Sequence, residues 1–148
     1  MSSQAVRVIV EPGLQLPWHA TASGIALLSA LSATERTRLL ADSIAAHSPL
    51  CEDQITSIHE AIHTASASGY AVSDGRLEQG VTGIAAAVFD SSNTAIATLA
   101  VAAASANTTP ERVDDIARQV VAAAADLSRR LGAKTKRHIL QSTRFATP

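Results

Sequence analysis

The sequence predicts an α+β domain in which helices pack on one antiparallel sheet, and three observations lead there. Two uncharged runs rich in Val, Ile, Thr and Ala, 81–89 and 94–103, flank Asp90-Ser91-Ser92-Asn93. Those four residues favour a turn, because short polar side chains bond nearby backbone and Asn tolerates left-handed dihedrals, so the runs form a hairpin. On both sides of it, apolar residues recur at steps of three and four behind helix start signals. The resulting order is strand, helices, short strand, hairpin and long helix, which is an α+β layer. With no charge in either run, both faces of the hairpin are expected to be covered, placing it mid-sheet.

Composition narrows the class further. A chain of 148 residues is long enough for one domain with a proper core, and no internal repeat or low-complexity linker divides it. Its apolar fraction of 47% is met largely by alanine, while aromatics make up 3%. Small side chains suit close helix–sheet packing and argue against a base-stacking surface, which needs several rings. A net charge of −1 supplies no general basic field for a phosphate backbone. The single cysteine, Cys51, excludes an internal disulfide framework and fits a reducing compartment. The start of the chain lacks a secretory pattern, and no uninterrupted apolar segment reaches membrane-span length. A cytoplasmic, soluble protein without cofactor or membrane partner is expected.

Each element has its own signal. Val6 to Val10 is β-branched enough for a strand, ended by Glu11-Pro12-Gly13. A loop from Leu14 to His19 holds the only tryptophan, Trp18. Thr21 caps a helix through Ile25, Leu27, Leu28 and Leu31. Ser32 and Glu35 have capping-box spacing for a second helix, with Leu39, Leu40 and Ile44 as its stripe and Pro49 closing it. A third starts near Cys51-Glu52-Asp53, its acids at the positive helix end, and buries Ile55, Ile58 and Ile62. Gly69 suits its left-handed cap. Tyr70 to Val72 reads as a short strand, and Ser73-Asp74-Gly75 as a turn. Thr109-Pro110 opens the last helix, with Val113, Ile116, Val120, Ala124, Leu127 and Leu131 on one face and Gly132 stopping it. Residues 133–148 form a basic tail, with Lys134, Lys136, Arg137 and Arg144. It is read as a solvated end.

Leu16-Pro17-Trp18-His19-Ala20-Thr21-Ala22-Ser23-Gly24, followed by Ala26 to Ser32, resembles the segment opening the pocket-side helix in effector-binding domains of IclR-type transcription regulators. Gly69-Tyr70-Ala71, Ser73-Asp74, Gly80-Val81, Ile84-Ala85-Ala86 and Val88-Phe89-Asp90 resemble that family's next signature, and Leu131-Gly132 falls where its last helix ends. The resemblance implies a GAF-like domain over 1–132, incomplete at its beginning, that binds a small metabolite. It also implies reporting of that metabolite through a homo-oligomer, a dimer or tetramer. The family's winged helix-turn-helix and the strands and helix after it have no counterpart here. The chain is therefore expected not to bind DNA directly, and to associate with itself through an uncovered sheet edge.

The resemblance also implies an effector site: Ala22, Ser23 and Gly24 at the helix start, Ser73 after Gly-Tyr, and Val81, Gly83, Ala100 and Ala102 on the hairpin. Gly83, Ala100 and Ala102 carry no polar side chain, so the site would be roomy and apolar. Amides of Ala22, Ser23 and Gly24 could receive an anion. An aromatic or aliphatic carboxylate satisfies both features. The alternative is a floor plugged by neighbouring core side chains, leaving a ligand-free oligomerisation module.

His59-Glu60-Ala61-Ile62-His63 fits H-E-x-x-H, in which two His one helical turn apart hold zinc and the Glu acts as base. A zinc-dependent hydrolase is therefore a rival reading. The residues that follow lack the Gly and third His of metzincins, and His59 and His63 fall beside the buried Ile58–Ile62 stripe, at a solvent boundary. No nucleophile elbow, phosphate loop or dinucleotide fingerprint is present, and Glu52 and Asp53 beside Cys51 disfavour its thiolate.

Overall fold

The computed structural model describes residues 11–47 and 49–134. The strand expected at Val6–Val10 and the tail beyond Lys134 lie outside these residues. Four α-helices, α1 (Ala22–Ala30), α2 (Ala33–Ala45), α3 (Glu52–Ser68) and α4 (Pro110–Arg130), accompany three strands, β1 (Ala71–Asp74), β2 (Val81–Phe89) and β3 (Ala95–Ala104). The α+β class holds.

Side-chain caps begin the helices where the sequence places them. The Thr21 hydroxyl accepts the Gly24 N–H at 2.9 Å, and the Ser32 hydroxyl accepts the Glu35 N–H at 3.3 Å while donating to the Glu35 carboxylate at 2.8 Å. At α3 the Cys51 N–H donates to Gln54 Oε1 at 2.9 Å. The Thr109 hydroxyl accepts the Arg112 N–H at 3.3 Å beside Pro110 in the first turn of α4. Gly69 closes α3 at φ 84°, a left-handed backbone that glycine adopts without steric cost.

The sheet runs β1-β2-β3, antiparallel throughout, with β2 in the middle. Strand alternation then sorts the core into two layers. Ala71 and Ala85 join Ile25, Leu28, Ile58 and Ile62 under α1 and α3, while Ile84, Ala86 and Val88 join Ala117, Val120 and Ala124 under α4. Ile25, Leu28, Ile84 and Val88 are the largest fully buried side chains, each contributing on the order of 1.5–3 kcal/mol by leaving water.

Three expectations are corrected. The hairpin is not covered on both faces: β2 is, but β3 is an outer strand of the described sheet, with Ile96 52% and Val101 38% exposed. An uncharged run of alanines reads like a buried strand, yet small side chains also tolerate an open edge. Ser73 and Asp74 are not turn residues: they extend β1, pairing with Gly83 and Thr82, and the connection falls at 75–80. Finally, Leu127 and Leu131 continue the periodic stripe of α4 but are exposed, while Ser128 is buried. Ser128 sits there because its hydroxyl donates to the Ala124 carbonyl at 2.7 Å and accepts the Phe89 N–H at 3.0 Å, satisfying β2 where a bulge at Val88/Phe89 ends its regular pairing.

Candidate effector site

The start of α1 is fixed from three sides. A Cβ added to Gly24 would lie 2.0 Å from the Trp18 carbonyl oxygen, so only glycine lets the helix close on the loop before it. The Ser43 hydroxyl of α2 accepts the Trp18 N–H at 3.0 Å and lies 2.9 Å from Nδ1 of buried His19. From the sheet, the Ser73 hydroxyl donates to the Ala20 carbonyl at 3.2 Å.

Below the helix the register sets Ser73, Gly83 and Ala102 in one row across the sheet, with Ala71, Ala85 and Ala100 in the next row on the same face. Ala22 stands directly over Gly83, where an added Cβ would come within 3.2 Å of the Ala22 methyl. Nothing fits between helix and strand at that point. Beside it the floor is open: Ala100 and Ala102 are exposed although they lie on the face that α1 covers. Val81 is half-buried at the edge of this floor, opposite Ala104. Ser23 is half-buried in the first turn of α1.

The fold thus gathers Ala22, Ser73, Gly83 and Ala102 into one neighbourhood, with Ala100 and Val81 flanking it. Gly24 has a different task, since its side is filled by Trp18 and its amide is already bonded to the Thr21 hydroxyl. The amides of Ala22 and Ser23 precede the first intrahelical bond, which the Ile25 N–H makes to the Thr21 carbonyl at 3.0 Å.

Two polar groups near this region have no simple signature in the chain. His19 and His47 meet with ring centroids 5.5 Å apart, and His47 Nδ1 lies 2.6 Å from the Ser43 carbonyl. Burial, and then the neighbouring His47, push the His19 pKa below its ordinary value. On the opposite face, the Asp74 carboxylate accepts the hydroxyls of Ser105 at 2.6 Å and Thr82 at 2.9 Å, which hold its pKa below the usual carboxylate range. The spacing from 74 to 105 carries no motif, so only the register brings these groups together.

His59 and His63 are exposed on α3 and line a groove against α2. Among the described residues no set of three or more His, Cys, Asp or Glu is placed to hold a metal.

Residues 1–129 match the family model for the C-terminal region of the bacterial transcriptional regulator IclR. The chain belongs to that family. Solved structures agree. The repressor BlcR of Agobacterium tumefaciens is 28% identical with a TM-score of 0.72, over 83% of this chain and 51% of that one. An IclR-type regulator from Silicibacter sp. TM1040 is also 28% identical, with a TM-score of 0.73 over 90% of this chain and 52% of its own. The Thermotoga maritima IclR, at 19% identity and TM-score 0.72 over 88% and 53%, shares the fold. The chain therefore spans about half the length of these relatives. No curated protein sequence matches it significantly.

As an IclR C-terminal domain the chain has a regulatory, effector-binding character, and its relatives are transcription regulators. No helix among the described residues is long and apolar enough to cross a membrane.

Proposed function

We propose that this IclR C-terminal domain is a cytoplasmic ligand sensor, not an enzyme, and that its effector is an aromatic or aliphatic carboxylate. The single observation supporting the site is the open floor of Ala100 and Ala102, next to Gly83 and the start of α1. Its small side chains favour a bulky apolar body, and the amides of Ala22 and Ser23 offer donors for a carboxylate. Ser73 ties the loop before α1 to the sheet, so movement of the helix start on binding is transmitted to β1. The effector acts by population shift, changing the arrangement of subunits in a homo-oligomer only as far as its affinity differs between arrangements.

Thermal-shift measurements against a panel of aromatic and aliphatic carboxylates test the reading. A ligand present at about 100 times its Kd adds about 2.7 kcal/mol, a melting shift of several degrees. Ala102→Trp, which fills the open floor at an exposed position, should abolish the shift, and Trp18 fluorescence gives a second readout. No shift with any carboxylate, or a shift that survives Ala102→Trp, would sink the site. The contact of Ala22 with Gly83 and the exposed apolar β3 favour one rival, a ligand-free oligomerisation module. For that rival, sedimentation would show stable oligomers indifferent to every compound.

A further inference from the structure

The paired histidines of α3 belong to a second concavity, away from the start of α1. A groove of about 380 Å³ runs between α2 and α3, within the range of roughly 300–1,000 Å³ typical of small-molecule sites. Its polar lining includes Arg36 and Thr37 from α2 and His59 and His63 from α3. Its floor is apolar, made by Leu40, Ile44 and Ile62.

The charge of this lining decides what it suits. No acidic side chain lines the groove, and Glu60, the acid between the two histidines, is not among the lining residues. Arg36 makes no ion pair with an acid among the described residues, and neither histidine does. A metal cation held by His59 and His63 would share the groove with the Arg36 guanidinium and find no third acidic, Cys or His ligand among the described residues. An anion meets the opposite situation: a fixed positive charge, two imidazoles, a hydroxyl and no competing carboxylate. A phosphate monoester has three terminal oxygens for such convergent donors, and guanidinium binds phosphate in a fork.

We infer that this groove binds a soluble, monomeric alkyl phosphate monoester. The phosphate head lies among Arg36, His59 and His63, and a short aliphatic tail lies on Leu40, Ile44 and Ile62. This site is separate from the carboxylate site proposed at α1, and neither requires the other.

Octyl phosphate, below its aggregation concentration, is the probe, followed by calorimetry and by two-dimensional NMR of the whole chain. Saturable binding with shifts centred on His59, His63, Leu40 and Ile62 is expected. Arg36→Ala and the double substitution His59→Ala/His63→Ala should each weaken it by about tenfold or more, as loss of charge-assisted bonds implies. Both histidines are exposed and Arg36 is half-buried, so melting temperatures should be nearly unchanged, and Ala102→Trp should leave octyl phosphate binding intact. Octanol should not bind, and inorganic phosphate should bind more weakly than octyl phosphate. Equal affinity in the Arg36→Ala variant would overturn the inference. So would shifts centred on Ser23 and Gly83, or association with phosphatidic acid vesicles without binding of monomeric octyl phosphate. Zinc binding lost on His63→Ala, with no anion bound, would restore the metal reading instead.

Discussion

Ser43 Oγ lies 2.9 Å from Nδ1 of buried His19 and also accepts the Trp18 N–H at 3.0 Å, so one hydroxyl of α2 holds two successive residues of the loop before α1. The hydroxyl can donate to the imidazole or accept from it according to the ring tautomer, and in either role Ser43 is the link between α2 and the loop that leads into α1.

A pH dependence of stability follows with a definite sign. The His19 pKa is lowered by burial and by His47, so the unfolded chain takes up a proton at a higher pH than the folded one. Stability from this group is complete above the ordinary imidazole value of about 6.5 and declines as pH falls through the window down to the lowered value. Melting temperature should drop between pH 7 and pH 5, and His19→Gln should flatten that part of the profile. An unchanged slope in His19→Gln would place the titration elsewhere.

Gly24 at the start of α1 and Gly83 in the strand below it make a ranked prediction. Gly24→Ala puts a methyl 2.0 Å from the Trp18 carbonyl oxygen, which is backbone and must move bodily. A loss of about 3 kcal/mol or more is expected. Gly83→Ala meets the Ala22 methyl at 3.2 Å and the Ser73 carbonyl oxygen at an ordinary 3.9 Å, and about 1 kcal/mol is expected. Denaturant unfolding that reverses this order would show that α1 does not sit on the loop and sheet as described.

Ser128 tests the join between α4 and the sheet. Ser128→Ala leaves the Phe89 N–H without its partner at 3.0 Å, at a cost of about 1–3 kcal/mol. Hydrogen exchange at the Phe89 amide should quicken in the variant. If it does not, another acceptor already serves that amide.

Asp74 offers a spectroscopic check on the β1–β2 connection. Its carboxylate is exposed, and its pKa is lowered first by the Ser105 hydroxyl and then by Thr82. Carboxyl NMR should find it titrating below ordinary aspartates, and Ser105→Ala should move it back toward them. The associated stability is present at neutral pH and lost as pH falls through the lowered value.

The open strand predicts behaviour in solution. Ile96 is 52% exposed on β3, whose outer edge has no partner strand among the described residues. Ile96→Lys should reduce self-association in light scattering while changing stability by no more than about 0.5 kcal/mol. Undiminished association would move the contact off this strand.

The caps at Thr21, Ser32 and Thr109, the left-handed Gly69, the Ile58–Ile62 stripe of α3 and the Val120–Ala124 part of the α4 stripe are legible along the chain because they are local. Each depends on residues within a turn or two of one another. The hairpin is legible for the same reason, its turn residues Asp90 to Asn93 lying directly between the two runs. Pairing decided the rest. The exposure of β3 depends on which strands lie beside it, and an alanine run is compatible with either answer. Gly24 was read as part of a ligand site, yet the nearby Trp18 backbone fills its side. The Ser43–His19 link spans 24 residues and the Asp74–Ser105 bond spans 31, and no spacing rule reaches so far. His59 and His63 share a helix face by periodicity alone, but that they look across at Arg36 is a fact of how α2 docks. Local chemistry writes the elements into the sequence, while the surroundings of each side chain arise only when distant segments come together.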